Sequence, residues 1–441
     1  MNVTELFYMS GRRAADLAVA VEAAVRDGRL QPGERLPTVR TVAAELEVSP
    51  ATVAAAYREL GRRGLAVGAG RSGTSVSPRP PLHASVRPRL RPGLRDLAQG
   101  QPDRELLPDW SRALATLPRR SLLYGAPMVD PELADLARDR LRADGLDATH
   151  LTVVSGAVDG IERILGAHLR PGDGVAVEDP IYPPIIDLLR AMSLRSLAVR
   201  VDSRGMLADD LDGALRRGAR AVVMTPRSQN PFGGALDDLR RTELRRVLAR
   251  HPEALVVEDD HAEAVGGGSV VGVSLPDAPA WAVVRSVSKT LGPDLRLAVI
   301  CGDEGTVARV EGRLSVGAGW VSHLLQRLVI SLWSRPGLDL LLAHAADIYR
   351  QRREGLLEAL ETRGIAAHGA TGFNVWVPVE AEAPVLDALA DAGYAALPGE
   401  RFRIATGPAI RITCAGLDPV EAEAVADAVA AAGRPGSSRL T

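Results

Sequence analysis

From about residue 96 onward the chain alternates short β-branched runs with longer stretches whose apolar positions recur every three or four residues. The apolar runs are LTVV (151–154), GVAVE (174–178), AVVMT (221–225), ALVVED (254–259), WAVVRSV (281–287) and LAVICG (297–302). Between them lie amphipathic stretches such as LDDLRRTELRRVLARH (236–251). Strands apolar on both faces, separated by amphipathic helices, predict an α/β fold whose mostly parallel sheet is covered on both sides. From about residue 330 the pattern turns mainly helical, with one further strand at GFNVWVPV (372–379), which predicts a smaller α+β lobe.

The N-terminal region follows another pattern. One helix is predicted over 11–27, stopped at Asp27-Gly28, and a second over 38–46. After the turn Glu47-Val48-Ser49 a third runs from Pro50 to Arg63, with Ser49 suited to the N-cap and Pro50 to the first helical position. The Gly/Ser-rich stretch up to residue 76 reads as a hairpin. Two short helices on a tight turn, then a hairpin, predict a winged helix-turn-helix whose second helix enters the major groove of DNA. Residues 77–95, SPRPPLHASVRPRLRPGLR, hold many prolines and arginines and no acid, and predict an extended, semi-rigid linker. The expected division is 1–78, a linker over 79–95, and 96–441 with a large lobe at about 120–325 and a small one at about 330–441.

Composition narrows the class without changing this outline. With 441 residues, 46% apolar content and a net charge of -2, the chain is globular and long enough for several domains, which excludes a disordered protein. Two cysteines, Cys301 and Cys414, exclude a disulfide scaffold, and Cys301 in its apolar run reads as core. No apolar run reaches the ~18–20 residues of a membrane span. The start MNVTELFYMSGRR has no signal pattern, so a cytoplasmic location is expected. The histidines and cysteines lack metal-ligand spacing, so no metal is expected. Residues 1–78 carry ten arginines against eight acids, so the DNA reading rests on the helix pattern, helped by the linker arginines.

One residue type stands apart. Among 53 basic residues there is a single lysine, Lys289. Arginine serves ion pairs and phosphate contacts, but only an amine can be deprotonated and form an imine. Lys289 lies in WAVVRSVSKTLGPDLRLAVICG, on a loop between two apolar strands, where ligands of α/β proteins bind. Ser286, Ser288 and Arg296 beside it suit a phosphate. An aldehyde cofactor carrying a phosphate uses all of these, which points to pyridoxal phosphate. Such a ring needs a carboxylate at its nitrogen, and Asp259 or Asp260 in Val257-Glu258-Asp259-Asp260-His261 ends a predicted strand. Asn230 suits the ring oxygen, Tyr182 the ring face, and the amides opening a helix at Ser155-Gly156-Ala157-Val158 the phosphate. Ser286-Val287-Ser288-Lys289 also has the spacing of a serine nucleophile with a lysine base, but lacks that motif's companions. Gly266-Gly267-Gly268 has no phosphate-loop context and reads as a mobile loop.

In RLPTVRTVAAEL, VSPATVAAAYRELGRRGL and GAGRSGTSV the N-terminal region resembles the DNA-binding domain of the GntR superfamily. The resemblance implies that Arg40 holds a phosphate or base edge, that Ser49 and Thr52 contact DNA from the recognition helix, and that Arg71 and Ser72 do so from the wing. Pro50-Ala51 departs from the arginine and polar residue common there, which leaves the operator sequence open. The long region resembles fold-type I aminotransferases, and the whole chain resembles MocR-type regulators. That implies a large domain with a mostly parallel seven-stranded sheet and a smaller C-terminal lobe. It implies pyridoxal phosphate held as an aldimine on Lys289, its nitrogen paired with Asp259 and its ring oxygen bonded by Asn230. Tyr182 would stack on the ring, and Ser286, Ser288, Arg296 and the amides of Ala157 and Val158 would hold the phosphate. Tyr124 would reach the cofactor of a second subunit in a homodimer, and Arg411, in AIRITCAGL, would hold an effector carboxylate.

Three departures accompany the resemblance. His261 stands in place of a tyrosine at the ring oxygen, Phe232 replaces a small hydroxyl residue and is expected to narrow the room near the ring, and Val158-Asp159 replaces a more usual amide-bearing pair. The implied function is control of a promoter in response to pyridoxal phosphate or an amino-acid-like effector, without required turnover. The alternative is a working aminotransferase that carries a DNA-binding domain.

Overall fold

The computed structural model describes residues 14–26, 29–31, 33–62, 64–68, 73–77, 93–118, 122–268, 272–273 and 278–432. The predicted linker falls almost wholly outside them, as do Arg71 and Ser72 of the wing. The chain folds as two compact units, one around the N-terminal helices and one around a large sheet.

The first unit holds α1 (Ala14–Arg26), α2 (Val39–Glu45), α3 (Pro50–Arg62) and the antiparallel pair β1 (Ala66–Gly68) and β2 (Thr74–Val76). Small and branched residues at helical spacing build its core, among them Leu17, Val21, Val42, Val53 and Leu60, closed by Leu65 and Val76 from the hairpin. Thr38 caps α2, accepting from the Thr41 amide at 3.2 Å. Ser49 does the same for α3, accepting from the Thr52 amide at 3.1 Å. The Tyr57 hydroxyl donates to the Pro37 carbonyl at 2.8 Å and so ties α3 to the entry of α2.

The second unit begins with β3 (Arg95–Asp96), α4 (Ser111–Ala115) and α5 (Pro131–Ala143). The sheet then forms from β4 (His150–Val154), α6 (Ala157–His168), β5 (Gly174–Asp179), α7 (Pro183–Ala191), β6 (Arg195–Asp202), β7 (Gly205–Met206), α8 (Ala208–Arg216), β8 (Ala219–Met224), α9 (Asp238–Leu248), β9 (Leu255–Asp260), β10 (Trp281–Ser286) and β11 (Ala298–Gly302). Its order is β4-β11-β10-β9-β8-β5-β6-β7, eight strands where seven were expected. The extra one is the two-residue β7, which hairpins back onto β6. Strands β8, β9 and β10 run parallel, whereas β11 is antiparallel to both neighbours. Only about ten residues join β10 to β11, too few for a parallel crossover of a dozen or more.

After α10 (Glu304–Val316), α11 (His323–Trp333) and the long α12 (Leu338–Thr362), a small lobe forms from β12 (Asn374–Pro378), α13 (Glu382–Asp391), β13 (Tyr394–Ala395), β14 (Leu397–Pro398), β15 (Ala409–Thr413) and α14 (Pro419–Ala432). Its sheet is antiparallel in the order β12-β15-β14, and β13 pairs in parallel with β3. That pairing brings residues 95–100 alongside the small lobe, with the Thr413 amide on the Leu97 carbonyl at 2.8 Å. Among the described residues no helix is long and apolar enough to cross a membrane, and no cluster of metal-ligating side chains occurs.

Candidate functional site

Loops at the C-terminal ends of β5, β8, β9 and β10 converge where an open α/β sheet binds its ligands. The one amine side chain of the protein is there. Lys289 Nζ donates to the Gly100 carbonyl at 2.6 Å and lies 5.6 Å from the centre of the Phe373 ring. Burial, reinforced by the positive charge of Arg411, pushes its pKa down to about 8. An amine so tuned has a larger neutral fraction near pH 7, as a nucleophile needs.

Arg411 is 2% exposed on β15. Its guanidinium donates to Asn230 Oδ1 at 3.1 Å and to the Ala98 carbonyl, and lies over the Phe402 ring at 4.9 Å. Burial lowers its pKa to about 10, and the Nε has no hydrogen-bond partner among the described residues. With its oxygen on Arg411, the Asn230 amide nitrogen remains free to donate elsewhere. Tyr182, 38% exposed, lies close enough to Arg411 to act on its charge.

Asp259 is 7% exposed, and its Oδ1 has no hydrogen-bond partner among the described residues. Burial, and then the charge of Asp260, raises its pKa to about 7. Its neighbour is the opposite case. Asp260 receives the Arg227 guanidinium at 2.8 Å on each oxygen and Arg285 Nε at 2.8 Å, and these two cations hold its carboxyl far below the usual range. Asp144 adds a second acid, 2.6 Å from Arg285 Nη1. One aspartate at the strand end is therefore neutralised by protein groups, while the other offers an orphaned oxygen. Both were candidates for the ring nitrogen, and only Asp259 is left unpaired for it. His261 follows; burial and the charge of Lys289 lower its pKa to about 4, so its imidazole is neutral at pH 7.

The start of α6 has no side-chain cap: Gly156, at φ 98°, precedes the helix. The first amides of α6, those of Ala157 and Val158 included, therefore face outward with the positive end of the helix dipole. Arg296 Nη2 donates to the Ser155 carbonyl at 3.2 Å, and a Cβ at Gly156 would sit 2.5 Å from that guanidinium. Ser286 Oγ accepts from the Ser288 amide at 3.2 Å, and Ser288 Oγ is buried without a partner. Asp159 is occupied locally, accepting from the Ser155 amide and from Arg163. An acceptor-rich group such as a phosphate suits these donors, and the orphaned Asp259 Oδ1 suits a protonated ring nitrogen; the residues present fit pyridoxal phosphate.

Tyr124 is 93% exposed, edge-on to Trp320, and touches none of these residues. The Phe232 ring is 9% exposed and stacks on His368 at 4.3 Å, in a cluster with Trp376 and Phe402. Small-lobe aromatic surface draws it in, so its bulk fills the contact between lobes. Gly266 is likewise anchored, its carbonyl accepting from the Gly372 amide at 2.7 Å and from Ser228 Oγ at 3.0 Å. Sequence reasoning missed Gly100, Phe373, Arg227, Arg285 and Glu178. Glu178 is fully buried with a pKa raised to about 7, chiefly by burial, and accepts from the Thr225 amide and Gln229 Nε2 at 3.1 Å each. Its place among the strand-end acids Glu178-Asp179 was the available signal; Gly100 offered none.

In the first unit Arg40 is exposed on α2 and makes no ion pair among the described residues. The Ser49 and Thr52 hydroxyls bond each other at 2.8 Å, so Ser49 serves first as a helix cap.

Residues 93–429 match the family of aminotransferases class I and II, and residues 13–76 the gntR family of bacterial regulatory proteins. The vitamin B6 salvage pathway transcriptional repressor PtsJ of Salmonella typhimurium is 40% identical over 95% of this chain and 98% of its own. The HTH-type transcriptional regulator TauR of Rhodobacter capsulatus is 30% identical over 79% of this chain and 80% of its own. Among solved structures, LysN, an alpha-aminoadipate aminotransferase of Thermus thermophilus, superposes with a TM-score of 0.68 at 22% identity, covering 77% of this chain and 93% of its own.

Proposed function

The chain belongs to the MocR-type transcriptional regulators of the GntR superfamily, an aminotransferase class I and II domain joined to a GntR helix-turn-helix, and from there we propose that it governs a vitamin B6 promoter in response to pyridoxal phosphate. The observation that carries this reading is a lone, down-tuned amine, Lys289, together with a buried aspartate, Asp259, whose Oδ1 has no hydrogen-bond partner among the described residues. The name of the relative that spans nearly the whole chain supports the choice of promoter.

When bound, pyridoxal phosphate supplies an aldehyde for an amine and an electron-withdrawing ring. Lys289 offers that amine, and Asp259 holds the proton of the ring nitrogen. Asn230, its oxygen already on Arg411, donates to the ring oxygen, with neutral His261 as its neighbour there. Tyr182 covers the ring face. Ser286, Ser288, Arg296 and the amides of Ala157 and Val158 hold the phosphate, and Tyr124 serves the second subunit of a homodimer. Arg411 holds the carboxylate of an amino-acid-like effector. Arg40, Thr52 and Ser49, with Arg71 and Ser72 of the wing, contact DNA. Regulation needs only that ligand occupancy favours one arrangement of the protein over another, without turnover.

The test combines absorbance and DNA binding on the full-length protein. Adding pyridoxal phosphate should produce a visible band, borohydride should fix it on the peptide containing Lys289, and affinity for the promoter should change with occupancy. A protein that binds promoter DNA identically with and without pyridoxal phosphate, and that shows no band, is not this sensor. Steady transamination of an amino acid at ordinary enzymatic rates favours the working aminotransferase instead.

A further inference from the structure

Asp179 ends β5, three positions before Tyr182, and is 1% exposed. Its carboxylate accepts four hydrogen bonds from one short segment of the small lobe. The Ile404 amide and the Thr406 hydroxyl donate to Oδ1 at 2.8 Å and 3.0 Å. The Ala405 and Thr406 amides donate to Oδ2 at 2.8 Å and 2.9 Å. Beside them the Ile181 amide donates to the Phe402 carbonyl at 2.8 Å.

Each side of this junction leads to the site. In one direction the chain reaches Tyr182 at once. In the other, Phe402 presents the ring over which Arg411 lies, at 4.9 Å. Ile404, Ala405, Gly407 and Pro408 are all exposed, so apolar burial does little to hold this segment. Three converging amides and a hydroxyl on a buried carboxylate are charge-assisted bonds, stronger than neutral ones and sheltered from water.

We propose that Asp179 is a positioning residue: its carboxylate clasps residues 404–406 and so fixes the Arg411–Tyr182 pair for the carboxylate of an amino-acid-like ligand. This rests on the reading of Arg411 given above. Asp179 makes no hydrogen bond to Lys289, Asp259, Ser286, Ser288 or Arg296 among the described residues, so its loss spares capture of the cofactor while loosening the effector side.

Asp179→Asn separates the clasp from mere packing. Asparagine keeps the shape but turns one acceptor into a donor that faces donors. In the cofactor-free, full-length protein, hydrogen exchange of a peptide spanning 402–408 should accelerate at least about tenfold, because an amide kept by a charged acceptor loses its protection. In protein loaded with pyridoxal phosphate, the visible band should remain, while its titration with L-alanine shifts to at least about tenfold higher concentration. Thr406→Val, which removes one neutral donor from a partly exposed loop, should move both readouts about threefold in the same direction. Wild-type exchange rates or a wild-type titration in folded Asp179→Asn overturn the proposal. Should Asp179→Asn not fold, Thr406→Val decides alone, and unchanged readouts there overturn it. Absence of the visible band, or of any response to L-alanine, in the wild-type protein counts against the reading of the site; the clasp then stands or falls on the exchange rates.

Discussion

The N-terminal unit keeps the groups proposed to meet DNA in water. Arg40 and Ser49 are exposed, Thr52 is half-buried, and among the described residues the hydroxyls of the last two bond only each other and the backbone. The large unit does the reverse. Asp259 is 7% and Arg411 2% exposed, Lys289 donates to a carbonyl inside the fold, and all three are displaced from their ordinary pKa values by burial. The difference follows from the ligands. A polyanionic duplex is met by solvated cations whose contribution is spread out and screened by salt. A small aldehyde needs one amine and one carboxylate held at chosen protonation states, which only a desolvated pocket provides.

The contrast breaks first at Lys289. Lys289→Ala should abolish the visible band entirely while leaving promoter binding by the cofactor-free protein within about threefold, the two units being chemically independent in this respect. A Lys289→Ala protein that keeps the band, or loses DNA binding altogether, undoes the distinction. Next in size is Arg285, half of the cation pair on Asp260. Arg285→Leu leaves a buried carboxylate short of a partner and should cost about 3–5 kcal/mol in denaturant unfolding of the large unit. The exposed Arg40 offers the matching surface test. Arg40→Ala should weaken promoter binding, lower the salt slope of binding by about 1, and leave both the spectrum and the unfolding curve unchanged.

The smallest effect sharpens the comparison through pH. Asp259 and Glu178 each have a folded-state pKa raised to about 7 from ordinary values near 4. Between those values each of these two carboxyls binds more proton in the folded protein than in the unfolded chain, a contribution that falls as pH rises and levels off above about 7. His261, lowered to about 4, contributes with the opposite sign between about 4 and its ordinary value of 6.5. Asp259→Asn should remove about half of the carboxyl contribution and so make the slope of stability against pH more positive between about 4 and 7, Glu178 retaining the rest. Lys289, lowered to about 8, acts in another window and with the opposite sign, adding stability as pH rises from about 8 toward its unfolded value. A slope untouched by Asp259→Asn means that the carboxyl is not desolvated as described.

Much of this was legible because its signals are local. The periodic runs located six of the eight sheet strands and the lone lysine marked the site, since strand burial and imine chemistry each leave a mark within a few residues. Strand β6, RSLAVRVD, escaped because polar positions interrupt its run and most of its residues are only half-buried. The antiparallel direction of β11 was likewise hidden, because an apolar run carries no sign of its orientation. Asp259 and Asp260 looked equivalent in a row of acids; Arg227, 33 positions away, and Arg285, 25 away, made them different. Phe232 was expected only to narrow the room near the ring; its stacking on His368 of the other lobe left no mark in the sequence.

By itself, then, the sequence determined the two-part organisation, the α/β alternation and the identity of the amine, all properties carried by spacing and residue type. The tertiary structure alone decided which carboxylate is free, which carbonyl receives Lys289 and what anchors the loop before Arg411. Those contacts join positions from 25 to 225 residues apart, and no period or motif links such points until packing brings them together and removes the water between them.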